Sequence, residues 1–251
     1  MQIDGVRRVT VVVAAFGTLL ATLSACAGAA APRAGGAQGP AERATHTAAE
    51  PAVRMADATR IPGVGDRLYR RIPADSGQVV AVYGKGRDSA DSTLVLYTRH
   101  GAAWHPSGSW PAHNGRHGWT TDHRMGDDRS PLGVFTLSDA GGVLPNPGTR
   151  LPYDHDAGAY APPKDWDEAH QHDFDYILAI DYNRVEGTPP RDATRPEGAD
   201  KGGGIWLHLD HGSGTSACIS VSKQVMEHLL RTLDPARHPV MVMGDREELR
   251  A

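Results

Sequence analysis

Seven short apolar runs, each closed off by turn-forming residues, constrain this chain more than any other feature. They fall at 78–83, 93–99, 133–137, 176–182, 204–209, 218–221 and 239–243, and runs of this kind read as strands. One helical period stands among them. Val225, Met226, Leu229, Leu230 and Leu233 recur at helical spacing, Ser222 precedes them as a cap, and Pro235 stops them. The pattern predicts a mainly β sandwich or barrel with one helix packed beside it near the C-terminus. The 29 Gly and 18 Pro agree with many turns. No internal repeat is visible, and the stretch from 140 to 171 shows no period, so it reads as extended loop.

The N-terminal end has a different character. Arg7 and Arg8 precede an apolar run over 9–23, shorter than the roughly 20 residues a membrane-spanning helix needs. The run ends in Leu23-Ser24-Ala25-Cys26, which resembles the lipobox of bacterial lipoproteins. The resemblance implies a cleaved signal over 1–25 and lipidation of Cys26, which would anchor the chain to a membrane; the alternative is a plain secretory signal with an incidental Cys. Either way the expected location is extracytoplasmic. The segment 26–59 is dominated by small and polar residues and reads as a tether. The folded domain is expected over 60–251. The formal net charge of -4 and pI near 6.3 argue against a nucleic-acid partner, which needs a basic footprint.

Only Cys26 and Cys218 occur. If Cys26 is acylated, Cys218 has no partner within the chain, and an unpaired thiol in an oxidising compartment calls for a use. The bland alternative is a buried, inert Cys. The surrounding segment reads GGGIWLHLDHGSGTSACISVS over 202–222. Alternation sets Ile205, Leu207 and Leu209 on one face, with Trp206, His208 and Asp210 on the other. After the Gly-rich turn, Ile219 and Val221 form an apolar face and leave Cys218 and Ser220 opposite. A hairpin-like return would then bring the His208 imidazole near the Cys218 sulfur. An imidazole can activate a thiol for attack on a carbonyl. The backbone amides of Ser216 and Ala217, with that of Cys218, are candidates for an oxyanion hole. Gly212 and Gly214 allow the sharp turn before the nucleophile.

These residues resemble the L,D-transpeptidases of the YkuD type, which carry a His at a strand end followed by Ser/Thr-x-Gly-Cys. The matching positions are His208 and Thr215-Ser216-Ala217-Cys218. Gly126-Asp127 through Pro131-Leu132-Gly133-Val134-Phe135 is similar to the family's Gly-Asp-x-x-Thr-Pro-x-Gly-x-Phe segment, and Asp181-Tyr182-Asn183 to a segment preceding the catalytic strand. The resemblance implies a β-rich YkuD fold with no cofactor. It also implies a Cys218 nucleophile, a His208 base, and peptidoglycan stem peptides as partners. Thr215, His211, Tyr182 and Asn183 are the implied substrate-binding residues. Two departures stand out: Ala217 replaces the usual Gly, a difficulty if that position needs positive φ, and Ile219-Ser220 replaces a polar residue after the Cys. Water as acceptor would give an L,D-carboxypeptidase. A non-catalytic wall-binding lipoprotein would keep the scaffold alone.

The remaining signals have plainer readings. His208 and His211 would lie on opposite strand faces, and no third ligand sits at a recognisable spacing, so no metal is expected. Asp210 is awkwardly placed to orient His208; a backbone carbonyl is the expected orienter. Asp127 and Asp128 read as turn formers. Trp104, Trp110 and Trp119 read as core, with a glycan-binding surface as the other possibility.

Overall fold

A computed structural model describes residues 57–251; the expected leader, Cys26 and nearly all of the expected tether lie outside the described residues. Its strands are β1 (Gln78–Gly84), β2 (Asp91–His100), β3 (Ala103–His113), β4 (Trp119–Thr120), β5 (Ser130–Pro131) and β6 (Gly133–Thr136). They continue as β7 (Ala140–Gly142), β8 (Tyr153–His155), β9 (Ile177–Ala179), β10 (Trp206–Leu209), β11 (Ile219–Val221) and β12 (Val240–Asp245). The helices are α1 (Asp66–Tyr69), α2 (Lys223–Thr232) and α3 (Arg246–Arg250). The fold is mainly β, as the pattern predicts. Ten strands form one mixed sheet in the order β6-β12-β1-β2-β3-β11-β10-β9-β7-β8, and β4 pairs with β5 apart from it. The sheet curls so that its first strand meets the far side. The Asp181 N–H donates to the Thr136 carbonyl and the Ala179 N–H to the Asp139 carbonyl, at 3.1 and 2.8 Å.

The unbroken apolar runs of β1 and β12 follow from burial on both faces. Val80, Val82, Met241 and Met243 point into an inner core with Leu94, Leu178, Leu207 and Ile219. Their neighbours Val79, Ala81, Val240 and Val242 enter an outer cluster, covered by Ile61, Leu68 of α1 and Leu249 of α3. Neither short helix carries a helical period long enough to read. Trp104 and Trp119 are buried and Trp110 packs against the inner core, in keeping with the core reading.

Strand β3 has no apolar run and contains Pro106 and Pro111, so it escapes a pattern search. It survives because it pairs with β2 along its length but touches β11 only at Ser220↔His113. Most of its other edge is free, where a missing N–H costs nothing. Helix α2 forms as expected: the Val225 N–H donates to Ser222 Oγ at 3.4 Å, and Val225, Met226, Leu229 and Leu230 are buried. Burying each leucine is worth about 1.5–3 kcal/mol. Ser222→Ala is expected to cost about 0.5–1 kcal/mol, read as a lower urea midpoint with an unchanged m-value. Among the described residues no helix is long and apolar enough to cross a membrane.

Candidate active site

Strands β10 and β11 run parallel, with Leu207↔Ile219, His208↔Ser220 and Leu209↔Val221 paired. The hairpin-like return expected from the sequence is therefore corrected to a crossover. The reason is that the 210–218 segment is long enough to travel back along the strand before re-entering the sheet. The expected faces hold: Leu207, Leu209, Ile219 and Val221 fill the inner core. Cys218 precedes the first pair and sits beside the start of β10. The Trp206 N–H donates to its Sγ at 3.4 Å, and the thiol donates to the Gly204 carbonyl at 3.7 Å.

Cys218 and His208 both line a cleft of about 460 Å³, with Arg116, Trp166, Asp173, Phe174 and His211 among its walls. The His208 ring is 3% exposed. Its Nδ1–H donates to the Leu209 carbonyl at 2.7 Å, which makes a backbone group the orienter, as anticipated, and leaves Nε2 with its lone pair. Burial lowers the His208 pKa to about 4, against the pull of the Leu209 carbonyl and Asp173. Cys218 is partly exposed to the cleft, yet the crowding around its sulfur raises its pKa to about 11; the Trp206 N–H opposes this and the Asp173 charge adds to it. Both shifts favour the uncharged forms, thiol and neutral imidazole.

The segment before Cys218 is pinned on both sides. The Thr215 N–H donates to the Asn114 carbonyl, the Arg116 N–H to the Thr215 carbonyl, and Thr215 Oγ1 to the Cys218 carbonyl at 2.6 Å. Ser130 accepts from the Gly115 N–H at 2.8 Å and donates to the Ala217 carbonyl at 2.6 Å. With these carbonyls held back, the chain's N–H groups are free to face the other way. Among the described residues, none of the N–H groups of Ser216, Ala217 and Cys218 donates to another backbone group. Gly214 is needed for close approach: a Cβ there would lie 2.7 Å from Arg116 Cα. Gly212 supplies the turn at φ +81°. Ala217 is not among the described residues with positive φ, so its methyl brings no backbone strain, and it packs into the inner core. Ser130→Ala is expected to leave a buried N–H and carbonyl unmatched, at a cost of about 1–3 kcal/mol by denaturant titration.

The stretch from 140 to 171, read from the sequence as extended loop, is corrected: it carries the short strands β7 and β8, held by pairing to distant partners that a periodicity search does not see. Its later part supplies one wall of the cleft. A 3-10 turn at Glu168–His170 sets His170 three residues before Asp173. His170 Nδ1 lies 2.9 Å and His211 Nδ1 3.1 Å from Asp173 Oδ2. Burial alone would push Asp173 up, but His211 and His170 together hold it below the usual carboxylate range. The Asp173 carboxylate in turn raises His211. The three ligand-type atoms lie within 4.8 Å of one another. The sequence reading found no third partner for His208 and His211 because His170 and Asp173 sit about 40 positions away; the signal was the His170-Gln171-His172-Asp173 run. Arg116, Trp166 and Phe174 were likewise missed, since nothing local marks them as cleft residues.

Tyr182 and Asn183, expected to bind substrate, are not among the residues that line the cleft around Cys218. Asn183 takes φ 45° and is 5% exposed. Its Nδ2 donates to the Gly198 and Gly202 carbonyls and its Oδ1 accepts from the Glu197 N–H. Tyr182 donates to the Lys201 carbonyl at 3.0 Å and packs edge-on against Phe135 and His123. Both brace the 184–202 loop instead of lining the cleft, because a residue just past β9 points toward that loop. Asp210 accepts from Ser220 Oγ at 2.7 Å and contacts His113 Nδ1 at 2.7 Å. Asp127 accepts from the Arg124 and Arg129 N–H groups, and Asp128 has φ 57°, as turn formers do.

Residues 87–242 match the family model of the YkuD type, described as the L,D-transpeptidase catalytic domain. Among solved structures, the helical cell shape determining protein Pgp2 from Campylobacter jejuni is 16% identical with a TM-score of 0.42; the match covers 71% of this chain and 51% of that one. Bd1075 of Bdellovibrio bacteriovorus is 16% identical with a TM-score of 0.38, covering 70% of this chain and 53% of that one. The chain thus spans about half the length of either protein. A comparison with curated proteins finds no match.

Proposed function

Because the chain belongs to the YkuD family of L,D-transpeptidase catalytic domains, we propose that it is a cysteine acyltransferase acting on peptidoglycan stem peptides. Cys218 is the nucleophile and His208 its base. The observation that carries the reading is that thiol and imidazole open onto one cleft, with the imidazole tautomer already fixed for accepting a proton at Nε2. The Cys218 sulfur adds to the carbonyl carbon of the peptide bond after the L-centre of a tetrapeptide stem, and the thiol proton passes to His208. The resulting oxyanion accepts N–H donors from Ser216, Ala217 and Cys218; one such donor is worth about 2.7–4 kcal/mol. Collapse breaks the C–N bond, and the D-Ala amine leaves with the proton from His208. An amine on a second stem then attacks the thioester, gives its proton to His208 and releases the thiol. Thr215 positions the nucleophile through its bond to the Cys218 carbonyl, and His211 forms part of the cleft wall.

The leader and Cys26 support placing this chemistry outside the cytoplasm, on a lipid anchor that faces the wall. The test is intact mass of the purified protein after incubation with a carbapenem, which resembles the acyl donor. One adduct per chain, mapped by peptide mass to Cys218, is the expected result. A folded protein that takes up no adduct, or takes it up elsewhere, would overturn the assignment.

A further inference from the structure

We propose that His170, Asp173 and His211 form a binding site for a divalent transition-metal ion of the zinc class, beside the thiol but not made from it. Two imidazoles and a carboxylate suit zinc, cobalt(II) or nickel(II), and are too few in oxygen for calcium or magnesium. The distances are close to what such an ion requires. Metal–ligand bonds of about 2.0–2.1 Å in a tetrahedron set ligand atoms roughly 3.3 Å apart; here the two His–Asp contacts are 2.9 and 3.1 Å, a few tenths of an ångström short of that spacing, and all three atoms lie within 4.8 Å of one another. The His170 and His211 rings lie 4.1 Å apart between centroids.

A second observation points to a ligand. The His211 side chain is 4% exposed, and its Nδ1 approaches Asp173 Oδ2 to 3.1 Å without the alignment of a hydrogen bond. A buried ring nitrogen left without an aligned partner is costly in a finished site, and an ion would satisfy it. The frame is fixed in advance: the Leu209 N–H donates to the Asp173 carbonyl at 2.9 Å, tying the Asp173 loop to the strand that leads to His211. All three residues line the cleft, which leaves room for water or a ligand group at the open coordination position.

The test is equilibrium dialysis of the purified protein against zinc, with cobalt(II) visible absorption as a spectroscopic readout. One ion per chain is expected, retained in Cys218→Ala. His170→Ala should weaken binding by at least roughly 100-fold, the upper range for losing an outer partner alone. His170 is about a third exposed, so this variant should keep its fold, checked by circular dichroism; His211→Gln is the second variant. Three results would each overturn the site: no stoichiometric ion, binding unchanged in folded His170→Ala, or binding lost in Cys218→Ala. None depends on whether the protein transfers acyl groups.

Discussion

Cys218→Ala is expected to abolish the carbapenem adduct, and His208→Gln to slow its formation by about 10²–10⁴-fold. The reasoning runs through protonation. With the thiol held up near 11 and the imidazole down near 4, very little thiolate exists at neutral pH, so attack must be coupled to proton transfer onto His208. Acylation should therefore stay nearly level from about pH 5 to 9 and fall below that range as His208 takes up a proton. Alkylation by iodoacetamide, which needs preformed thiolate, should instead climb with pH and run slower than free cysteine at pH 8. A bell-shaped alkylation profile with a plateau near neutrality would indicate a thiolate–imidazolium pair and refute this account. The same burial affects stability. His208 is kept neutral in the fold, so its contribution is fully present above about pH 6.5 and is lost as pH falls toward 4. His208→Gln should remove that part of the acid sensitivity.

Arg184→Ala is expected to destabilise the domain by about 3–5 kcal/mol, measured by urea denaturation at neutral pH. Arg184 pairs with Asp181 and, at 3.1 Å, with Asp139; all three side chains are almost fully buried. It also donates to the Thr188 carbonyl and to Ser138. Burial pushes Asp181 above the usual carboxylate range and the guanidinium pulls it back. Removing the cation leaves two carboxylates uncompensated at the seam where the 137–139 segment meets the end of β9. Arg184→Lys should recover only part of the loss, because one ammonium cannot span both carboxylates as the planar fork does. A cost under about 1 kcal/mol, the range of exposed pairs, would contradict this reading.

The parts of the fold that could be read from the sequence are those whose burial is periodic. β1, β12 and α2 carry their environment in their own side chains, and so do the alternating faces of 205–209 and 219–221. What could not be read depends on partners distant in sequence. β3 is a strand because β2 lies beside it, not because of its own residues. The direction of β11 relative to β10 is set by how the intervening loop packs on Asn114, Gly115 and Ser130. Cys218, His208 and the 215–218 segment, to which the proposed chemistry is assigned, lie close together in the chain and could therefore be singled out from the sequence. The His170 and Asp173 side of the cleft comes from a loop whose conformation is fixed only by tertiary contacts such as Leu209 N–H to the Asp173 carbonyl. Asn183 is a case where a strand-end turn explains the residue by itself: its φ is positive and its side chain braces the loop that follows.

The clamps on Thr215 and Ala217 also determine where this protein tolerates rewriting. Gly212, at φ +81°, has to stay glycine for its backbone even though the space beside it is open, whereas Ser213 is exposed. Extra residues inserted there would lengthen the rim of the cleft, while everything from Gly214 onward stays anchored to the neighbouring loops. A deletion of one residue within β11 would do the reverse, turning the strand's alternate side chains to the wrong face. Diversification beside the cleft thus has its permissive address at Ser213, and the Cys218 sulfur keeps its position however that address is filled.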